Sequence, residues 1–176
     1  LHLCDRRQRQ MCIRDRFKNF VKSLASSGVI YKRGIEDLPF ADRWLASPTA
    51  MMLIPTTVKS VTAAAIQDMP QAIDKMIDQI GHTDYAVLSE AIMPYPDGGI
   101  KDCIRVYKTQ AGDISIKISN DDWKLIERKD TCEILYAYDI DTNSNVAKAL
   151  LVKSFPELPG DDEELVGIIF PVNDEV

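Results

Sequence analysis

Residues 114–119 read ISIKIS, so three isoleucines alternate with polar side chains. Because successive side chains of a strand point to opposite faces, this alternation predicts a strand with one buried face and one wet face. Turn-forming residues flank the segment on both sides. Apolar residues alternate in a similar way at 104–106, and a further apolar stretch covers 132–140. The region 104–140 is therefore predicted to form antiparallel sheet.

The elements outside this region follow from helical periodicity and from turn residues. In chain order they are a helix at 17–27, a strand at 58–66, a helix from Asp68 to Gly81, a strand at 85–93, the sheet region, a helix beginning at Ser144, and a strand at 165–170. At 58–66 a helix is the alternative to the favoured strand. This order predicts an α+β fold, an antiparallel sheet with helices on one face. It resembles a ferredoxin-like split βαβ order with extra strands inserted, a resemblance of element order that transfers no function.

The first sixteen residues differ in character from the rest of the chain. They contain five arginines and show no hydrophobic period. The string resembles translated sequencing-adapter read-through, as found at the ends of genes predicted from assembled reads. The alternative is a basic arm that binds an acidic partner. We expect 1–16 to be a non-native or disordered segment, 17–57 to be a helical and irregular lead-in, and 58–176 to be a single α+β domain.

Composition limits the classes of function. The chain has 176 residues and a formal charge of −6, with 45% hydrophobic residues. Without the first sixteen residues, 16 basic and 25 acidic residues remain. This acidic balance argues against nucleic acid and anionic membranes as partners. No apolar run approaches the roughly 18 residues that a membrane span needs. A soluble protein is expected, with the cytoplasm the favoured compartment.

A loop with alternating oxygen side chains is a weak metal candidate. Asp139, Asp141 and Asn143 match the first positions of an EF-hand calcium loop. Ser144 replaces the glycine that such a loop requires, and Leu150 replaces its bidentate glutamate. The favoured interpretation is a strand-to-helix turn, in which these side chains bond to the backbone.

Cys103, Cys132 and His82 are the remaining candidates for chemistry. The two cysteines are predicted on strands that could be neighbours, so packing, a disulfide, a metal site and a nucleophile are all open. His82 follows a predicted helix end, where the helix dipole favours a cation. The spacings of a zinc site and of a nucleophile elbow are both missing from the sequence.

Tyr136 and Tyr138 share one face of a predicted strand with Cys132. Core packing or one wall of a ligand pocket explains them better than stacking on nucleic acid, because acidic residues surround them. The favoured function is a non-catalytic binding or accessory module for a protein or small molecule, without a cofactor. A small enzyme with a carboxylate- or cysteine-based site is the alternative, and a homo-oligomer fits a sheet with an exposed edge.

Overall fold

Ten strands and two short α-helices make up the described part of the chain. The computed structural model describes residues 14–33, 42–94, 103–125, 131–154 and 163–172, with the backbone alone at 90–94 and 103. Helix α1 covers 14–24 and helix α2 covers Gln71–Asp78, and a 3-10 turn covers Asp122–Leu125. The strands are β1 Val29–Arg33, β2 Asp42–Ala46, β3 Ala50–Leu53, β4 Ala65–Asp68, β5 Thr83–Pro94, β6 Cys103–Thr109, β7 Ser115–Ser119, β8 Thr131–Asp139, β9 Ser144–Ser154 and β10 Glu164–Ile169.

The strands form one mixed sheet in the order β4-β1-β2-β3-β10-β9-β8-β5-β6-β7. Strands β1 and β4 are parallel, and the other neighbours are antiparallel. The long strand β5 pairs with β8 at its start and with β6 further along, and its register with β6 shifts between Leu88 and Ile92. Such irregularities bend a strand and increase its twist.

Strand β9 lies near the centre of this sheet and is buried on both faces. From Ala149 to Val152, four consecutive residues are each at most 1% exposed. Leu150 belongs to the core cluster on one face of the sheet and Leu151 to the cluster on the other. A strand buried in this way carries a continuous apolar run, which has the same composition as a buried helix.

The two faces of the sheet are covered by different elements. Phe17 and Phe20 of α1 lie in the same core cluster as Leu150. Ile116 and Ile118 of β7 lie in that cluster too, so the sheet curls until its β6–β7 end covers the α1 face. Ile77 of α2 packs in the other cluster, with Leu135 and Leu151. The second face therefore carries α2.

The expected fold class is wrong. The chain is mostly sheet with two short helices on opposite faces, and it is not a ferredoxin-like α+β fold with helices on one face. The predicted helix beginning at Ser144 is strand β9. Strands β1, β2 and β3 lie within 29–57, where the Gly and Pro residues predict irregular structure, so that prediction is wrong. Very short strands fit between such breaks, with Pro48 in the β2–β3 turn and Pro55 after β3.

Several local predictions agree with the structure. Strand β7 buries Ile116 and Ile118 at 2% and 0% exposure, as the alternation indicates. Helix α2 forms where predicted, but it begins after Pro70 without a side-chain cap, because Asp68 is the last residue of β4. The division at residue 58 into a lead-in and a domain stays a prediction, and residues 1–13 lie outside the described part.

Candidate functional site

Helix α1 presents an apolar side to the core and a basic side to solvent. Its apolar residues recur at i, i+3, i+4 and i+7, and Phe17 and Phe20 are 2% and 6% exposed. Lys18 and Lys22 are four residues apart, which places them on one side of the helix, and both are exposed. A basic stripe therefore borders the line along which α1 meets the rest of the molecule.

The segment 57–62 forms the opposite wall of a groove beside α1. The Val58 backbone N–H donates to the Pro55 carbonyl at 2.8 Å, so the chain turns directly after β3. Val58 and Val61 then pack against the core cluster that α1 joins, while Lys59 between them is exposed. The space between this segment and α1 is a cavity of about 460 Å³, which we call the α1 groove.

The α1 groove has an apolar floor. Phe17 and Val21 contribute to it from the helix, and Val58 and Val61 contribute from the facing segment. Phe17 is almost fully buried, whereas the three valines are only partly buried. Partly exposed aliphatic side chains at the base of a concave site are typical of pockets that accept the apolar part of a ligand.

The rim of the α1 groove is cationic. Arg14, Lys18, Lys22 and Lys59 line it, and none of the lining residues that the structure describes is an aspartate or glutamate. Lys18 Nζ lies 3.3 Å from Asp15 Oδ1, but both side chains are more than half exposed, so that pair is weak. Within the described part of the chain, Lys22 and Lys59 make no ion pair.

Hydroxyl groups complete the rim. Thr57, Ser60 and Thr62 are exposed and line the groove from the segment that carries Lys59. Hydroxyls both donate and accept hydrogen bonds, and ammonium groups donate three. The groove therefore offers donors and positive charge above a hydrocarbon floor, an arrangement that can bind an anion attached to an apolar group.

A second, smaller cavity of about 270 Å³ lies on the other side of α1. Asp122 in its wall is 8% exposed and accepts a hydrogen bond from Ser119 Oγ at 2.9 Å. Burial raises the pKa of Asp122, while hydrogen bonds from Ser119 and Thr49 oppose the shift. Arg16 Nη1 donates to the Leu125 carbonyl at 3.2 Å. These bonds connect α1, β7 and the 3-10 turn. The polar side chains of Arg16, Ser119 and Asp122 therefore have a structural role.

The cysteines predicted as candidates are not on neighbouring strands. Cys103 begins β6 and Cys132 lies in β8, and β5 runs between those two strands. Cys132 is 7% exposed in the core. Burial, together with the smaller effect of nearby Cys132, raises the pKa of Tyr107 to about 12. The side chain of Cys103 lies outside the described part, so a role for that cysteine stays a prediction.

His82 is exposed in the turn between α2 and β5. Its backbone N–H donates to the Gln79 carbonyl at 3.1 Å, and its own carbonyl accepts from the Tyr136 N–H at 3.2 Å. These backbone bonds attach the end of the α2 region to strand β8. The imidazole does not line either of the two cavities.

The two tyrosines predicted as a pocket wall do not line either cavity. Tyr136 is partly buried against the core, and a hydrogen bond with Asp84 raises its pKa. Tyr138 is 59% exposed and its hydroxyl bonds to Asn143 Oδ1. The face of β8 that carries both tyrosines is therefore part of the core at Tyr136 and exposed to solvent at Tyr138.

Asp139 is the last residue of β8, and Asp141 and Asn143 lie in the turn that leads to β9. The turn joins two strands, so the predicted strand-to-helix turn is wrong. Asp139 accepts from the Asp141 N–H at 3.0 Å and from Thr142 Oγ1 at 2.9 Å, and the Thr142 bond lowers the pKa of Asp139. Asn143 has φ +52°, a left-handed conformation that asparagine tolerates. In the described ranges, three or more Asp, Glu, His or Cys side chains nowhere converge as a metal site. Calcium binding by this turn stays a prediction.

Comparison of this chain with models of known protein families, with curated proteins and with solved structures finds no match. Within the described residues, none of the helices is both long and apolar enough to cross a membrane.

The residues of the α1 groove were not identified from sequence. The spacing of Lys18 and Lys22 beside an apolar helical face was a usable signal for half of the rim. Lys59 had none, because it lies within 58–66, where the sequence predicts a strand. That prediction is wrong up to β4, which begins at Ala65, and the position of Lys59 depends on how 57–62 folds back toward α1.

Proposed function

We propose that this chain is a non-catalytic binding module and that the α1 groove binds a small molecule. The observation that carries the proposal is the shape of the groove. Its volume of about 460 Å³ falls within the range of about 300–1,000 Å³ found for ligand pockets. Apolar side chains form its floor, as in such pockets, and the polar groups of its rim can orient a ligand.

A small molecule fits this groove better than a protein partner does. Protein interfaces usually bury a broad surface of about 800 Å² per partner around a hydrophobic centre. The apolar side chains here are instead at the base of a concave site and are surrounded by lysine and hydroxyl groups. Binding in the groove would cover Val21, Val58 and Val61, which are only partly buried by the chain itself.

A tryptophan at the rim tests where binding occurs. Thr62 lines the groove and is exposed, so Thr62→Trp would fill the groove without disturbing the core. Gln110→Trp is the matched control, because Gln110 is exposed in the β6–β7 turn. The probes are the fluorescent dyes 1-anilinonaphthalene-8-sulfonate and N-phenyl-1-naphthylamine. We expect the full-length chain and Gln110→Trp to bind a dye and Thr62→Trp to lose that binding. Unchanged or stronger dye binding by Thr62→Trp would overturn the proposal.

A further inference from the structure

We infer that the natural ligand of the α1 groove is an amphiphilic organic anion, an acid headgroup joined to an apolar body. This inference rests on the proposed function and names the class of ligand. Lys22 and Lys59 would hold the headgroup at the rim, and the valines of the floor would contact the apolar body.

The charge of the groove is opposite to the charge of the chain. The chain contains 27 acidic and 21 basic residues, a net −6. Among the residues that the structure describes, the groove lining nevertheless has four cationic side chains and no carboxylate. Clefts lined by charges of one sign concentrate the field and attract ions of the opposite sign. Three of the four cations lie after residue 16, so the charge does not depend on the segment expected to be non-native.

Lys22 and Lys59 are available to an anion. In the part of the chain that the structure describes, neither lysine makes an ion pair. An ammonium group is a compact charge with three donors, so it accepts a carboxylate, sulfonate or phosphate without demanding one planar geometry. The two lysines therefore select the acid group of the ligand by its charge and size, and not by one particular geometry.

The apolar floor of the groove indicates that the anion also has an apolar part. An inorganic ion would contact the rim alone and leave Val21, Val58 and Val61 partly exposed. A nucleic acid would need flat aromatic faces for its bases, but Phe17, the one aromatic residue among the described lining residues, is only 2% exposed. An apolar body with an acid at one end matches both parts of the site.

Two dyes of nearly the same shape separate charge from hydrophobicity. 1-Anilinonaphthalene-8-sulfonate is an amphiphilic anion, and N-phenyl-1-naphthylamine lacks the sulfonate. We expect the full-length chain to bind the anion about tenfold more tightly than the neutral amine, as two modest charge interactions would provide. Salt at about 1 M should remove most of that difference, because it screens exposed charges.

Charge reversal then identifies the lysines. We expect the double variant Lys22→Glu/Lys59→Glu to bind the anionic dye about tenfold or more weakly and the neutral dye unchanged. Lys108→Glu is the matched control, because Lys108 is exposed on β6 and does not line the groove. A cooperative melting transition in each variant shows that it is folded.

The outcomes distinguish failure of the proposed ligand class from failure of the groove as a binding site. If the two dyes bind equally well in the groove and the double reversal has no effect, the inference that the ligand is an anion is overturned. The groove then remains a binding site. Loss of anionic dye binding in Lys108→Glu as well would also overturn the specific role of the rim. If Thr62→Trp fails to reduce binding of either dye, the proposed function fails together with this inference.

Discussion

Lys153 Nζ donates to Glu133 Oε2 at 2.6 Å, between the adjacent strands β9 and β8. The two side chains are only 15% and 11% exposed. This ion pair lies almost entirely within the protein, where the loss of water around each charge is costly and the attraction between them offsets that cost. Either charge alone at this position would be poorly solvated.

The first prediction is that losing one partner of the Glu133–Lys153 ion pair destabilises the protein more than losing both. Lys153→Met should lower the free energy of unfolding by about 3 kcal/mol, because it leaves the Glu133 carboxylate buried without a cation. The double variant Glu133→Leu/Lys153→Met should recover most of that loss, since it removes both charges. Urea unfolding of the two variants, of Glu133→Leu and of the original chain measures this. Strictly additive losses would contradict the prediction.

The second prediction compares two glycines of the core. A Cβ at Gly28 would lie 2.7 Å from Leu24 Cδ1 and 2.9 Å from Leu45 Cδ1. Gly28→Ala should therefore destabilise the protein by about 1–3 kcal/mol through overpacking between α1 and β2.

Gly167 is the matched position in β10. A Cβ there would meet Met51 O at 3.5 Å and Val152 Cβ at 3.6 Å, which are ordinary contacts. Gly167→Ala should therefore be neutral or stabilise by up to about 1 kcal/mol, mainly by reducing the freedom of the unfolded chain. Thermal unfolding of both variants tests this, and a larger loss of stability at Gly167 than at Gly28 would contradict the packing described between α1 and β2 and around β10.

The third prediction concerns pH. Burial raises the pKa of Asp122 above its ordinary value of 3.8. A carboxyl with a higher pKa in the folded than in the unfolded chain binds its proton more tightly when folded, so its contribution to stability increases as the pH falls.

Comparison with Asp122→Asn isolates this contribution. Relative to that variant, the original chain should gain stability as the pH falls through the folded pKa toward 3.8, and lose it again as the pH rises. Urea unfolding of both proteins across that range measures the difference. A difference that is flat, or that moves in the opposite direction, would mean that Asp122 is not buried as described.

The local patterns of the sequence predict local structure where one face of an element is wet. The alternation at β7 predicts a strand correctly, since the strand has one buried and one wet face. Ile116 and Ile118 are buried and Ser115 is exposed. Strand β9 carries no such pattern, since four consecutive residues from Ala149 are buried on both faces. Its alanine, leucine and lysine residues favour a helix by propensity, and the surrounding sheet overrides that preference.

The candidate site, likewise, could be predicted only where a local sequence pattern indicates it. The basic side of α1 follows from the spacing of Lys18 and Lys22, but a groove needs a second wall. That wall is supplied by 57–62, which leaves β3 and folds back toward α1 without regular structure of its own. No local pattern fixes this approach, because it depends on the packing of Val58 and Val61 against the core formed by distant strands.

An amide chemical-shift map of the full-length chain with saturating 1-anilinonaphthalene-8-sulfonate tests directly whether the α1 groove is the ligand site. If the α1 groove is the ligand site, the largest shifts will fall on the amides of 17–22 and 57–62, and Lys22→Glu/Lys59→Glu will reduce them at equal dye concentration. Shifts concentrated at the exposed Tyr85 and Val87 of β5, or no shifts within the groove, would contradict the account.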